Sequence, residues 1–177
     1  MKIEINGDLG IDVTAKDIAL YVIGKIGTAG GTGFAIEFCG STIENMSIEG
    51  RMTLCNMTVD LGAKNGIIAP DKKTESYLKN RTTDKWDFIS SDANAKYDAV
   101  YEVDVTNVGP KVSKPDKLDD VMPVEALVGT KFNKAFVGTC TNGRTEDFAI
   151  MAQILKDKKI HRDVNMICIP ASTDIYL

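Results

Sequence analysis

Residues 132–147 read FNKAFVGTCTNGRTED. The apolar centre, AFV, predicts a buried strand that ends at Gly138, because glycine is a common break after a strand. A polar turn containing Cys140 follows. Glu146 and Asp147 then suit the first turn of a helix, where unpaired N–H groups favour negative charge. The stretch therefore predicts a strand, a tight turn and a helix in direct succession.

Cys140 lies in the turn between this predicted strand and helix. A thiolate is stabilised close to a helix N-terminus, where it can bind a metal or act as a nucleophile. The alternative interpretation is a small cysteine buried at a crowded strand end. The spacing by itself favours neither interpretation.

The composition is that of a globular protein. Apolar residues make up 44% and charged residues 26% of the 177, and the formal net charge is -4. No dense Lys/Arg run accompanies aromatic residues, so nucleic acid is not expected as a partner. The apolar runs are too short for a membrane span. The four cysteines are scattered without a CxxC pair, which favours reduced thiols and a cytoplasmic location.

Strands and helices alternate along the chain, which predicts an α/β protein. Residues 2–6 alternate as an edge strand would. Thr14 is a predicted helix N-cap, with Asp17 at the capping-box position. A helix of about twenty residues is expected over residues 43–64, in one or two pieces around Gly50.

Residues 106–121 are the best linker candidate, because they contain Gly109-Pro110, Pro115 and few apolar side chains. The predicted domains are therefore residues 1–108, a nearly complete α/β domain, and residues 109–177, the beginning of a second one. In the second, two strands flank one helix. One helix cannot cover both faces of a parallel sheet, so this domain is expected to be truncated.

Two stretches together indicate a family. Residues 47–71 read SIEGRMTLCNMTVDLGAKNGIIAPD, and residues 137–144 read VGTCTNGR. Both closely resemble the aconitase superfamily, in particular the large subunit of 3-isopropylmalate dehydratase and its homoaconitase relatives. The VTAKD of residues 13–17 and the PAS of residues 170–172 resemble the same subunit. The resemblance covers essentially the whole chain and implies three-layer α/β/α domains, one nearly complete and one truncated.

The resemblance also implies an activity. It is that of a hydro-lyase in leucine biosynthesis, which converts 2-isopropylmalate to 3-isopropylmalate by dehydration and rehydration. A separate small subunit is the implied partner, in a heterodimer or heterotetramer. The substrate is a malate-type acid, with homocitrate or dimethylmalate as alternatives, because in this family the small subunit largely determines the choice.

The implied cofactor is a 4Fe-4S cluster held by three cysteines, whose open iron binds substrate oxygens as a Lewis acid. Cys140 matches the first of these ligands. The other two belong to a later Cys-x-x-Cys stretch that this sequence does not contain. Cys39, Cys55 and Cys168 have the wrong spacing to replace them and are expected to be single buried thiols.

Four polar positions match the rest of the family's site. Asn56 matches a residue that supports the cluster and its bound water, and the alternative is a polar residue bridging within a helix. Asp60 occupies the place of a catalytic glutamate and is one methylene shorter, a departure from the family at a position where reaction geometry tolerates little slack. Asn142 and Arg144 are expected to support the cluster or an anionic substrate, although Arg144 also suits an exposed helix start.

Three hypotheses follow. The first is the central part of a longer dehydratase large subunit, inactive alone, because the family's other acids and bases lie in segments outside this sequence. The single histidine, His161, is in a charged loop and is not expected to contribute. The second hypothesis is a non-catalytic assembly module of the same fold, favoured by Asp60 and the missing ligands. The third, a nucleotide-binding domain using the Gly138 turn, lacks the GxGxxG order.

Overall fold

The predicted α/β class is confirmed by the computed structural model, which describes residues 1–79 and 81–177. The chain divides into two units, Met1–Ala126 and Leu127–Leu177. The boundary predicted between the two family domains, at residues 108 and 109, stays a prediction. Among the described residues, no helix combines the length and the apolar character that a membrane crossing requires.

The first unit is built from helices and short strands. In chain order these are β1 (Lys2–Asn6), α1 (Ala15–Ile26), β2 (Ala35–Cys39), α2 (Ser41–Asn45), α3 (Ile48–Asn56), a 3-10 helix (Met57–Leu61), β3 (Asn65–Ile68), α4 (Lys72–Leu78), β4 (Val100–Asp104), β5 (Lys111–Ser113) and β6 (Val121–Pro123). A second 3-10 helix, Val124–Leu127, follows β6. Four of the strands form a parallel sheet in the order β3-β2-β1-β4.

β1 lies inside this sheet rather than at its edge, so the edge-strand prediction is wrong. Ile3 pairs with Phe38 of β2 on one side and with Tyr101 of β4 on the other. Alternating apolar residues show that a strand has one buried face. They do not show how many neighbours it has, because that depends on where later strands return to the sheet.

The buried side chains of the sheet all lie on one face. Ile3, Ile5 and Ile36 are each 0% exposed, and they pack with side chains of α1 and α3 in a single apolar cluster. The opposite face carries charged, partly or fully exposed residues: Lys2, Glu4, Glu37 and Glu102. The residues that the structure describes therefore provide one helical layer, whereas complete parallel sheets have both faces covered.

Asp17 joins the start of α1 to a distant hairpin. Its Oδ2 accepts hydrogen bonds from the backbone N and the Oγ1 of Thr14, both at 2.7 Å, which confirms the predicted capping box. Its Oδ1 accepts from the backbone N of Lys111 at 2.7 Å. The predicted linker at residues 106–121 thus contains β5, which pairs antiparallel with β6 and contacts α1. The hairpin is short and packs on a helix, so it contains too few apolar residues for the sequence pattern to predict its strands.

The predicted long helix over residues 43–64 is divided into α2, α3 and the first 3-10 helix. The break falls at Ser47 and not at Gly50, because the Oγ of Ser47 caps α3 by accepting from the backbone N of Gly50 at 2.9 Å. Gly50 instead lies inside α3. A Cβ at this position would come within 2.8 Å of the Met46 side chain, so glycine permits the close approach.

The buried side chain of Arg51 holds α2, α3 and α4 together. Its Nε donates to the carbonyl of Ile43 at 3.1 Å, and its Nη2 donates to the carbonyl of Glu44 at 3.1 Å. The same Nη2 forms an ion pair with Asp71 Oδ2 at 2.6 Å. Asp71 is the N-cap of α4, as its position before that helix suggests. The Arg51 guanidinium therefore donates hydrogen bonds to two carbonyls near the end of α2 and fixes the start of α4.

The second unit is a strand–helix–strand crossover, as predicted. β7 (Lys134–Val137) and β8 (Asn165–Cys168) pair in parallel, with α5 (Thr145–Leu155) between them in sequence and α6 (Thr173–Tyr176) after them. Ala135 and Val137 are half-buried on the side toward α5. The expectation of a fully buried β7 is wrong, because Phe136, on the other side, is 52% exposed.

We expect Asp71→Asn to destabilise the first unit in a pH-dependent way. Asparagine is as good an N-cap as aspartate, so the substitution mainly removes the charge beside Arg51. The hydrogen bond from Arg51 is the main cause that lowers the pKa of Asp71 to about 2. A carboxylate whose pKa falls on folding stabilises the protein above its unfolded-state pKa of about 3.9, and this contribution is lost as the pH falls toward the folded-state pKa.

Because the Asp71 side chain is 38% exposed, solvent screening reduces this contribution. We expect the variant to lose about 1–2 kcal/mol of unfolding free energy at neutral pH, measured by urea unfolding, and the difference to shrink below about pH 4. Glu75→Gln is the control, because Glu75 forms only an exposed ion pair with Lys79 at 3.8 Å. Equal losses in the two variants, or a loss that does not change with pH, would contradict this account.

Candidate functional site

The turn between β7 and α5 begins and ends at glycines with left-handed backbone conformations. Gly138 has φ of 98° and Gly143 has φ of 105°, values that favour glycine strongly. A Cβ on Gly138 would lie 1.9 Å from the carbonyl oxygen of Ile169, just after β8. The backbone N of Ala171 donates to the carbonyl of Gly143 at 2.9 Å. The turn is therefore packed directly against the chain that leaves β8.

Asp147, in the first turn of α5, organises the second half of the turn. Its Oδ2 accepts from the backbone N of Gly143 at 2.9 Å and from that of Arg144 at 3.0 Å. Its Oδ1 accepts from the Asn142 side-chain Nδ2 at 3.0 Å. The sequence predicted only that Asp147 lies at the start of a helix. It did not predict the hydrogen bonds between Asp147 and the turn.

The Cys140 side chain is exposed, so the interpretation as a small buried cysteine is wrong. The N–H donors of Gly143 and Arg144 face the Asp147 carboxylate, and the helix start therefore directs these donors to Asp147. This geometry differs from the expectation that the helix N-terminus would stabilise a thiolate.

The other three cysteines have different surroundings. Cys39 and Cys55 are half-buried, and burial is the main cause that raises the pKa of each thiol, to about 11 for Cys55. Both therefore remain neutral thiols at physiological pH. The expectation of a buried thiol is wrong for Cys168, which is exposed, with its Sγ 3.7 Å from the sulfur of Met151.

Asn142 and Arg144 each have a buried polar atom without a hydrogen-bond partner among residues 1–79 and 81–177. These atoms are the Oδ1 of Asn142 and the Nε of Arg144. The Nη2 of Arg144 lies 3.5 Å from the carbonyl oxygen of Cys140. The turn thus contains one buried acceptor and one buried donor that are unsatisfied among the described residues, close in sequence to the exposed thiol.

Asn56 and Asp60 lie in the first unit, at the end of α3 and in the 3-10 helix that follows. This 3-10 helix is anchored by Met57 and Leu61, which are 4% and 3% exposed. Asp60 is partly buried. Burial raises the pKa of its carboxyl group above the ordinary aspartate value, and the positive charge of Lys16 opposes the shift. A partly buried carboxylate with a raised pKa is a stronger base than an exposed one.

The five predicted site residues thus fall into two sets. Cys140, Asn142 and Arg144 share one turn of the second unit, whereas Asn56 and Asp60 share one connection of the first. The single histidine, His161, is in an exposed position beside Asp163, in keeping with the charged loop that was predicted.

The donor set of the turn fits one corner of an iron–sulfur cluster. An exposed thiol with a neighbouring guanidinium suits an anionic inorganic cluster. Within the described part of the chain, no three His, Cys, Asp or Glu side chains are placed to hold a metal ion together. The fit is therefore that of a single ligand.

The chain is similar in sequence to known proteins. The model of the aconitase family (aconitate hydratase) matches residues 1–177. The chain is 45% identical over 177 residues to a probable methanogen homoaconitase large subunit of Methanothermobacter thermautotrophicus, covering 100% of this chain and 41% of that protein. It is 42% identical over 175 residues to the 3-isopropylmalate dehydratase large subunit 1 of Methanopyrus kandleri, covering 99% of this chain and 42% of that protein.

A third relative is the 3-isopropylmalate dehydratase large subunit of Halothermothrix orenii, which is 45% identical over 171 residues, or 97% of this chain and 41% of that protein. The chain thus spans about two fifths of the length of these curated relatives. The family match over the full chain and the α/β fold agree with the resemblance found in residues 47–71 and 137–144. The chain belongs to the aconitase family.

Proposed function

We propose that these residues are the central part of the large subunit of a 4Fe-4S hydro-lyase that converts 2-isopropylmalate to 3-isopropylmalate. The observation that carries the proposal is the exposed Cys140 thiol, which a packed turn presents at the end of β7 in a chain of the aconitase family. The names of the relatives from Methanopyrus kandleri and Halothermothrix orenii support the reaction.

In this proposal Cys140 is one of three thiolate ligands, and the other two come from a part of the protein outside these 177 residues. When bound, the cluster supplies a Lewis-acidic iron that polarises substrate oxygens. Asn142 and Arg144 support it from the same turn. The Arg144 guanidinium provides positive charge, and its Nε and the Oδ1 of Asn142 are buried atoms that have no hydrogen-bond partner in the described part of the chain.

The first unit contributes the residues that handle protons. Asp60 is the proposed base, because partial burial raises the pKa of its carboxyl group toward the working range of a general base. Asn56 precedes Asp60 by one turn and is the proposed hydrogen-bonding partner of the reacting water. The core contacts of Met57 and Leu61 hold the intervening 3-10 helix in place.

The proposed partners are a small subunit and a malate-type substrate. The relatives are named large subunits, which favours a heteromeric enzyme. Homoaconitase is an equal alternative to the dehydratase, because identity to a relative of each name is 45%. A biosynthetic enzyme of this kind belongs in the cytoplasm.

Removing the Cys140 thiol tests the proposal directly. We expect Cys140→Ala in the full-length large subunit to lose most of its iron and sulfide after anaerobic reconstitution, because one of three thiolate ligands is gone. Cys168→Ala is the matched control. Cys168 is also exposed and belongs to the same unit, yet it lies at the end of β8 and touches Met151.

Iron and sulfide contents that are unchanged in Cys140→Ala would refute the assignment. A wild-type subunit that assembles with its small subunit but never binds iron would instead support the non-catalytic assembly module. Comparison of isopropylmalate with homocitrate as substrates for the reconstituted enzyme separates the two enzymatic alternatives.

Substitutions of Asp60 test the proposed base. We expect Asp60→Asn to lower kcat/KM of the reconstituted enzyme about 100-fold or more, because the amide cannot accept a proton. Asp60→Glu restores the side chain usual in the family and is expected to retain activity. The raised pKa places the acid limb of the wild-type pH profile above the ordinary aspartate range, and activity falls as Asp60 becomes protonated. Full activity of Asp60→Asn would rule out this role.

A further inference from the structure

We propose that Asp147 is the positioning residue of the thiol: its carboxylate fixes the turn that carries Cys140 and so sets the direction of the sulfur. The inference rests on the proposed function of Cys140 as a cluster ligand. Asp147 does not touch the cluster or the substrate in this proposal. It acts through the backbone and through Asn142.

The hydrogen bonds of Asp147 exceed what a helix cap requires. In a capping box, the side chain of the third helical residue accepts from the backbone N of the N-cap, here Arg144, at 3.0 Å. Asp147 also accepts from the backbone N of Gly143 at 2.9 Å and from Asn142 Nδ2 at 3.0 Å. The last two donors lie before the helix and add nothing to its own hydrogen bonds, so they stabilise the turn.

The first half of the turn is held by Thr139. Its Oγ1 accepts from the backbone N of Thr141 at 3.1 Å and from that of Asn142 at 3.3 Å. The turn therefore has two anchors on either side of Cys140. Thr139 lies one residue before it, and Asp147 holds the turn at Asn142, two residues after it. Thr139 and Asp147 meet at Asn142, whose backbone N binds the threonine and whose side chain binds the aspartate.

The charge of its carboxylate makes Asp147 the more important of the two anchors. Hydrogen bonds to a charged acceptor are stronger than those to a hydroxyl. They also hold the backbone N of Gly143, the glycine that ends the turn. Loss of the carboxylate therefore releases the C-terminal side of the turn while the two strands remain paired.

The test uses Asp147→Asn and Asn142→Ala in the full-length large subunit, with Glu146→Gln as control. Glu146 is the acidic neighbour in the same helical turn. In the cluster-free protein, Asp147→Asn is expected to increase amide hydrogen exchange at Gly143 and Arg144 about tenfold or more. Asn142→Ala keeps both of these backbone bonds, so exchange at Arg144 stays at the wild-type value.

After reconstitution, both variants are expected to lose the visible absorbance of the cluster to a chelator about tenfold faster than wild type, whereas Glu146→Gln does not. Unchanged exchange at Gly143 in Asp147→Asn, or loss of the cluster from that variant at the wild-type rate, would overturn the positioning role. The exchange result comes from the cluster-free protein and does not depend on cluster binding by Cys140, which the Cys140→Ala experiment decides separately.

Discussion

The first unit depends on one buried guanidinium. A charge that is removed from water has to be paired and hydrogen-bonded, and Arg51 meets this requirement with the carbonyls of Ile43 and Glu44 and with the carboxylate of Asp71. These three partners belong to the end of α2 and the cap of α4. Arg51 itself lies in α3, the helix that ends at Asn56. The constraint on the charge therefore fixes three helices, one of which carries Asn56 at its end.

Aspartates at helix starts recur as connectors in this fold. Asp17, Asp71 and Asp147 each bind backbone N–H groups at the beginning of a helix, where negative charge is favourable. Each also binds a group outside that helix. Asp17 accepts from Lys111 of the hairpin, Asp71 pairs with Arg51 of α3, and Asp147 accepts from Asn142 of the turn. One carboxylate thus caps a helix and also ties it to another segment.

The proposed chemistry is divided between the two units in a way that follows their structures. The second unit is small and open, and its turn leaves the Cys140 thiol exposed for a ligand. The first unit has a compact apolar cluster, and Asp60 is partly withdrawn from water at its surface, which raises the pKa of the carboxyl group. Metal ligation needs an accessible sulfur, whereas proton transfer benefits from a poorly solvated acid.

The sequence by itself determined the α/β class, the family, the capping box of α1 and the strand–turn–helix around Cys140. Each of these depends on patterns of residues that are only a few positions apart. The interior place of β1, the hairpin within residues 106–121 and the exposure of Cys168 were decided by the tertiary structure. So were the contacts of Asp147, which the sequence marked only as a helix-start charge. The physical reason is range: periodicity and capping act over about four residues, whereas strand neighbours and burial depend on contacts such as that between Asp17 and Lys111, 94 residues apart.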